Sequence, residues 1–98
     1  MSVIKLHRPS SEERRRLDIP DTPCASGPWS VWECAPSSFE WHYDDWEVAY
    51  VFEGKVLVAT ESGEVEITAG DLVTFPKGLS CTWKIVEKIC KVYKIESE

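Results

Sequence analysis

No stretch of these 98 residues approaches the ~20 consecutive apolar residues that a membrane-crossing helix needs. That excludes a helical membrane span. The four cysteines, Cys24, Cys34, Cys81 and Cys90, include no pair two to four residues apart, which excludes the usual zinc-finger spacing. An even cysteine count suggests disulfides only in a secreted setting, and Met1–His7 lacks the long apolar core of a secretory signal. The expectation is free thiols in a reducing compartment, the cytoplasm. Lysine and arginine total 11 against 17 acidic residues, a formal net charge of −6, and the basic residues form no long stripe. Nucleic-acid binding, which needs a basic footprint, is disfavoured. The one basic cluster, Arg14-Arg15-Arg16, is flanked by Glu12, Glu13 and Asp18, which predicts a solvated helix face. Internal repeats, low-complexity tracts and helix-length segments between the strands are all missing, which argues against solenoids and βαβ units.

What is present divides into an arm and a β-rich body, residues 1–28 and 29–98 of one domain. In the arm, Ser10 and Glu13 have capping-box spacing and predict a short helix ending near Leu17. Pro20, Pro23 and Gly27-Pro28 then break regular structure. From Trp29 onward the pattern is β. Ser30–Ala35, Phe39–Tyr43, Glu47–Phe52, Lys55–Thr60, Glu64–Thr68, Leu72–Phe75, Leu79–Val86 and Ile89–Ile95 read as short strands. Glu53-Gly54, Ser62-Gly63, Ala69-Gly70 and Pro76-Lys77-Gly78 read as the turns between them. That spacing predicts an all-β sandwich or barrel.

Two stretches carry a resemblance. Glu47, six residues, then Gly54 is the ending of one motif; Gly70, five residues, Pro76-Lys77-Gly78, two residues, then Cys81 is the second. Together they resemble the paired motifs of the cupin family, across roughly Glu40 to Val86. Gly70–Gly78 with Cys81-Thr82-Trp83-Lys84, Trp41, and Lys91-Val92-Tyr93 is similar to the small single-domain cupins grouped with the ureidoglycine aminohydrolase cupin domain. The resemblance implies a single jelly-roll β-barrel of the RmlC-like type, preceded by the short helical arm. It implies a site near the barrel centre, often holding a metal, and a homodimer paired through barrel edges.

Carried onto this sequence, the four usual ligand positions read Glu40, His42, Glu47 and Cys81, where most cupins have three histidines and a glutamate. Imidazole, carboxylate and thiolate together suit zinc, and iron, manganese or nickel are the family's alternatives. Tyr50 and Trp83 are expected to line the pocket. Each residue also has a plainer reading: His42 as a rim histidine, Glu47 as a solvated carboxylate, Asp44 and Asp45 as turn residues. The plainer reading of the cysteines is as small buried hydrophobes. Trp29, Trp32, Trp41, Trp46 and Trp83 either fill the core or stack on a ligand. Strand alternation puts Cys81, Trp83 and Ile85 on one face. Three functions remain open: a small-molecule-binding cupin, extending to a divergent metal-dependent enzyme; a metal-free, non-catalytic binding barrel; or a purely structural homodimer.

Overall fold

The computed structural model describes residues 4–96. Met1–Val3, part of the segment read for a signal sequence, lie outside the described residues. The first regular element is β1 (Lys5–His7), a strand within the arm that no local sequence signal marks. Helix α1 (Ser11–Arg16) follows, with Ser10 Oγ accepting the Glu13 amide at 3.1 Å. Glu12 and Glu13 sit at its positive end and the three arginines at its negative end. Arg14 does not simply point into solvent. Its guanidinium donates to the Tyr50 hydroxyl at 3.2 Å and ties the helix to the sheet.

The body consists of β2 (Ser30–Cys34), β3 (Ser38–His42), β4 (Trp46–Thr60), β5 (Gly63–Thr68), β6 (Leu72–Phe75) and β7 (Ser80–Glu96). All strand pairs are antiparallel. Four expected strands have merged into two. The expected break at Glu53-Gly54 lies inside β4, and the break between Val86 and Ile89 lies inside β7. The reason is that these two long strands pair with each other along almost their whole length. Their register shifts between Val51 and Val56, so a bulge absorbs the irregularity that reads locally as a turn.

That bulge bends the sheet into two leaves. The first half of β4 and the second half of β7 carry β6, β1 and β2. The other halves carry β5 and β3. The hydrogen-bonded path runs β1-β6-β4-β7-β2 and does not return on itself, so the expected closed barrel is replaced by one folded sheet. Side chains, not a closing ladder, join the inner faces. Trp83 on one leaf meets Trp32 and Phe75 on the other, with ring centroids 5.9 and 5.8 Å apart.

Period-2 alternation sorts residues between the faces. Ala49, Val51, Val56, Val58, Ile67, Val73, Phe75 and Ile85 point inward and form the main core. Tyr50, Leu72 and Val92 point the other way and are covered by Ile19 and Trp29. Trp29 donates its indole N–H to the Leu17 carbonyl at 3.2 Å, which fixes the arm across that outer face.

Gly54 sits at the bend with φ +99°. A Cβ there would collide with the Lys88 carbonyl oxygen and lie 2.7 Å from Ile89 Cα. Gly63, at φ +129°, has open space around it. Alanine at Gly63 should therefore cost only backbone strain, about 1–3 kcal/mol. Gly54→Ala should cost clearly more, because strand backbone must also move. Urea unfolding of the two variants checks this; equal destabilisation would contradict the role given to the bend.

Candidate functional site

The inner-face alternation has one polar interruption. Along β7, Ile89, Lys91, Tyr93 and Ile95 share a face, and along β4, Glu47, Ala49 and Val51 share it too. Glu47 and Lys91 are thereby turned inward, with side chains only 9% and 7% exposed. Lys91 Nζ donates to Glu47 Oε2 at 2.9 Å. A buried lysine without a counter-charge would be prohibitively costly, and this pair resolves that.

Aromatic rings surround the ammonium. Nζ lies 4.9 Å from the Trp83 ring centre, 5.2 Å from Trp32, 5.2 Å from Tyr93 and 6.0 Å from Phe75. Such faces attract a cation through their quadrupoles. Burial still lowers the Lys91 pKa below the ordinary lysine value, opposed by the Glu47 charge and hydrogen bond. The Tyr43 hydroxyl is pushed far up, first by burial and then by the charges of Glu47 and Cys81. It stays protonated at any physiological pH.

These residues wall a cavity of about 350 Å³, formed by Trp32, Phe39, Trp41, Tyr43, Glu47, Trp83, Lys91, Tyr93 and Ile95. Trp41 and Ile95, both about half exposed, mark its mouth. Phe39 stacks on Trp83 (6.2 Å, 14°) and Tyr43 on Phe75 (4.6 Å, 6°), so the walls are pre-packed. One donor in the wall is unspent. Trp83 Nε1 is buried with no hydrogen-bond partner among the described residues. The Tyr43 hydroxyl and Cys81 thiol are near enough to feel that N–H. Neither meets it in proper hydrogen-bond geometry.

The four positions expected to form one metal site fall into two settings. β3 pairs with β7 so that Trp41 lies opposite Cys81, and Phe39 opposite Trp83, on the inner face. Glu40 and His42, opposite Thr82 and Ser80, are on the outer face. His42 shares a hydrogen bond between Nδ1 and Ser80 Oγ (2.8 Å), and its Nε2 lies 3.8 Å from Asp44, in the bend after β3. Glu40, His42, Ser80 and Cys81 border a separate hollow of about 500 Å³. Cys81 itself is buried; its thiol donates to the Trp41 carbonyl at 3.7 Å, and burial raises its pKa. Among the described residues, no three His, Cys, Asp or Glu side chains gather around a point where a metal could be held. The inward carboxylate of Glu47 is already paired with the Lys91 ammonium. The residues present therefore do not fit the divalent metal that the fold family implies.

Trp83 lines the cavity as expected. Tyr50 instead belongs to the outer cluster beneath the arm, with its hydroxyl held by Arg14. Sequence reasoning missed Lys91, Tyr93 and Phe39 as site residues, while Trp32 and Trp41, weighed above as core or ligand-stacking residues, also line the cavity. The available signal for Lys91 was a single charge on the otherwise apolar face Ile89-x-Lys91-x-Tyr93-x-Ile95.

Removing one partner of the pair should be severe. Glu47→Gln leaves the lysine buried and unpaired and should destabilise by about 3–5 kcal/mol. The double variant Glu47→Leu/Lys91→Met should lose much less. Denaturant unfolding of the three proteins tests this, and a double variant destabilised as much as Glu47→Gln would show that the two charges do not depend on each other.

The family model for the EutQ-like cupin domain matches residues 22–93. A DUF861 family protein of Thermotoga maritima is 41% identical over 96% of this chain and 100% of that chain, with a TM-score of 0.86. The Clostridium difficile EutQ protein is 20% identical, covering 70% of this chain and 55% of that one, with a TM-score of 0.65. A putative ethanolamine utilization protein Q of Salmonella typhimurium is 19% identical over 94% of this chain and 68% of that one, with a TM-score of 0.62. At those two identities the likeness is one of fold. No match was found among curated proteins.

Proposed function

The chain belongs to the EutQ-like cupin family, and from that premise we propose that its inner cavity binds a small planar molecule bearing a carbonyl or carboxylate oxygen, without a metal. The observation that carries this reading is the unspent indole N–H of Trp83 in the wall of an aromatic cavity beside an ammonium. A buried donor left unmade costs about 1–3 kcal/mol, which an acceptor oxygen on a ligand would relieve. Lys91 spends one N–H on Glu47 and has two further N–H groups to offer. The flat rings of Trp32, Phe39 and Tyr93 favour a flat ligand, and the cavity lies at the small end of ligand-site volumes.

The residues divide the work by chemistry. Trp83 and Lys91 hold the oxygen, Glu47 keeps the lysine positioned, and the ring walls exclude water from both. A urea or amide carbonyl meets the same requirements, which is where the likeness to ureidoglycine aminohydrolase cupin domains enters as a substrate class. The hydrolysis that likeness implies depends on a metal. Glu40, His42, Glu47 and Cys81 do not assemble a metal site, so these residues support binding of the carbonyl and not its hydrolysis.

Tryptophan fluorescence provides the test. Benzoate and benzamide should each produce a saturable change, and benzylamine, which offers no acceptor oxygen, should not. Trp83→Phe keeps an aromatic ring and removes the N–H, and should weaken benzoate binding by roughly tenfold, the worth of one hydrogen bond. No saturable change with any acceptor-bearing ring compound would remove the reading.

A further inference from the structure

We infer that Lys91 is a nucleophile, condensing with the carbonyl carbon of an aldehyde or ketone held in the cavity to form an imine. This rests on the cavity reading above and goes a step beyond it. Three features meet at this cavity. Lys91 lines a space large enough for a single-ring ligand. Its only charged hydrogen-bond partner among the described residues is Glu47, 2.9 Å away and positioned to take and return a proton. Trp83, whose buried indole N–H has no hydrogen-bond partner among the described residues, lines the same cavity and would polarise a carbonyl oxygen that reached that N–H. Burial supports the same chemistry, since it favours the neutral amine that carries the lone pair.

The step balances without any further reactant. The Lys91 ammonium passes one proton to Glu47. The freed amine lone pair attacks the carbonyl carbon, forming the C–N bond while the C=O π pair moves to oxygen. Transfer of a proton from nitrogen to that oxygen gives the carbinolamine. Glu47 then returns its proton to the hydroxyl, which leaves as water, and the nitrogen lone pair closes the C=N bond. The product is a protonated imine opposite a Glu47 carboxylate. The ion pair and its aromatic surround thus persist through the reaction, so the pocket that accommodates the ammonium also accommodates the product.

The surface lysines make an internal control. Lys5, Lys77, Lys84 and Lys88 are exposed, and none of them lines the cavity. Wild-type protein is incubated at pH 7 with benzaldehyde and cyanoborohydride, which reduces an imine to a stable benzylamine, and peptides are mapped by mass spectrometry. Lys91 should be labelled faster than any exposed lysine. Benzoate should protect it. Labelling of the exposed lysines with Lys91 unmodified, while benzoate still changes the fluorescence, would overturn the nucleophile and leave the cavity reading standing. Loss of both signals would overturn both. Lys91 labelling that benzoate does not reduce would place the reaction outside the cavity and equally overturn the inference.

Discussion

One buried ion pair sets the character of this molecule's interior. Lys91 and Glu47 project from the two longest strands into a space lined by tryptophan, tyrosine and phenylalanine rings. Neither charge could be there alone, because the desolvation penalty of each is several kcal/mol and only the partner offsets it. Together they sit among the aromatic rings that wall the inner cavity. The interior is thereby committed to hydrogen bonding and ring stacking.

The pair in turn depends on the way β4 and β7 run. Both strands pass through both leaves, so a single ladder fixes the relative position of Glu47, near one end of β4, and Lys91, near the bulge in β7. The bend at Gly54 brings Trp83 and Phe39 of the second leaf over Trp32, Tyr93 and Lys91 of the first. The N-terminal arm has a different task. It seals the opposite face of the first leaf with Ile19, beside Trp29 at the start of the body, leaving the cavity side open at Trp41 and Ile95.

Much of this was legible in the sequence and some was not, for identifiable reasons. The alternation of Glu64–Thr68 and the Pro76-Lys77-Gly78 turn are local signals, and local structure follows them. Gly54 was legible as a position needing positive φ, but a glycine at a bulge and a glycine at a turn look alike until the partner strand is known. His42 shows the limit of motif spacing. Its distance from Glu47 fits a ligand pair, yet which face it takes depends on strand parity, and the intervening bend at Asp44-Asp45 resets that parity. Lys91 is hard to read because a lysine near the chain's end suggests solvent. Only the apolar residues two positions either side reveal that its strand face is buried. Trp83 could be placed beside the position that the cupin resemblance assigns to the site, because alternation puts it on one face with Cys81 and Ile85.

The central claim is that the Glu47 carboxylate serves a lysine and not a metal. Its most direct test is elemental mass spectrometry of tag-free protein, as purified and after incubation with zinc, iron, manganese or nickel salts followed by desalting. The account predicts far less than one metal per chain under every condition, with Glu47→Gln indistinguishable from wild type. Near-stoichiometric metal in the wild type that disappears in Glu47→Gln would contradict it.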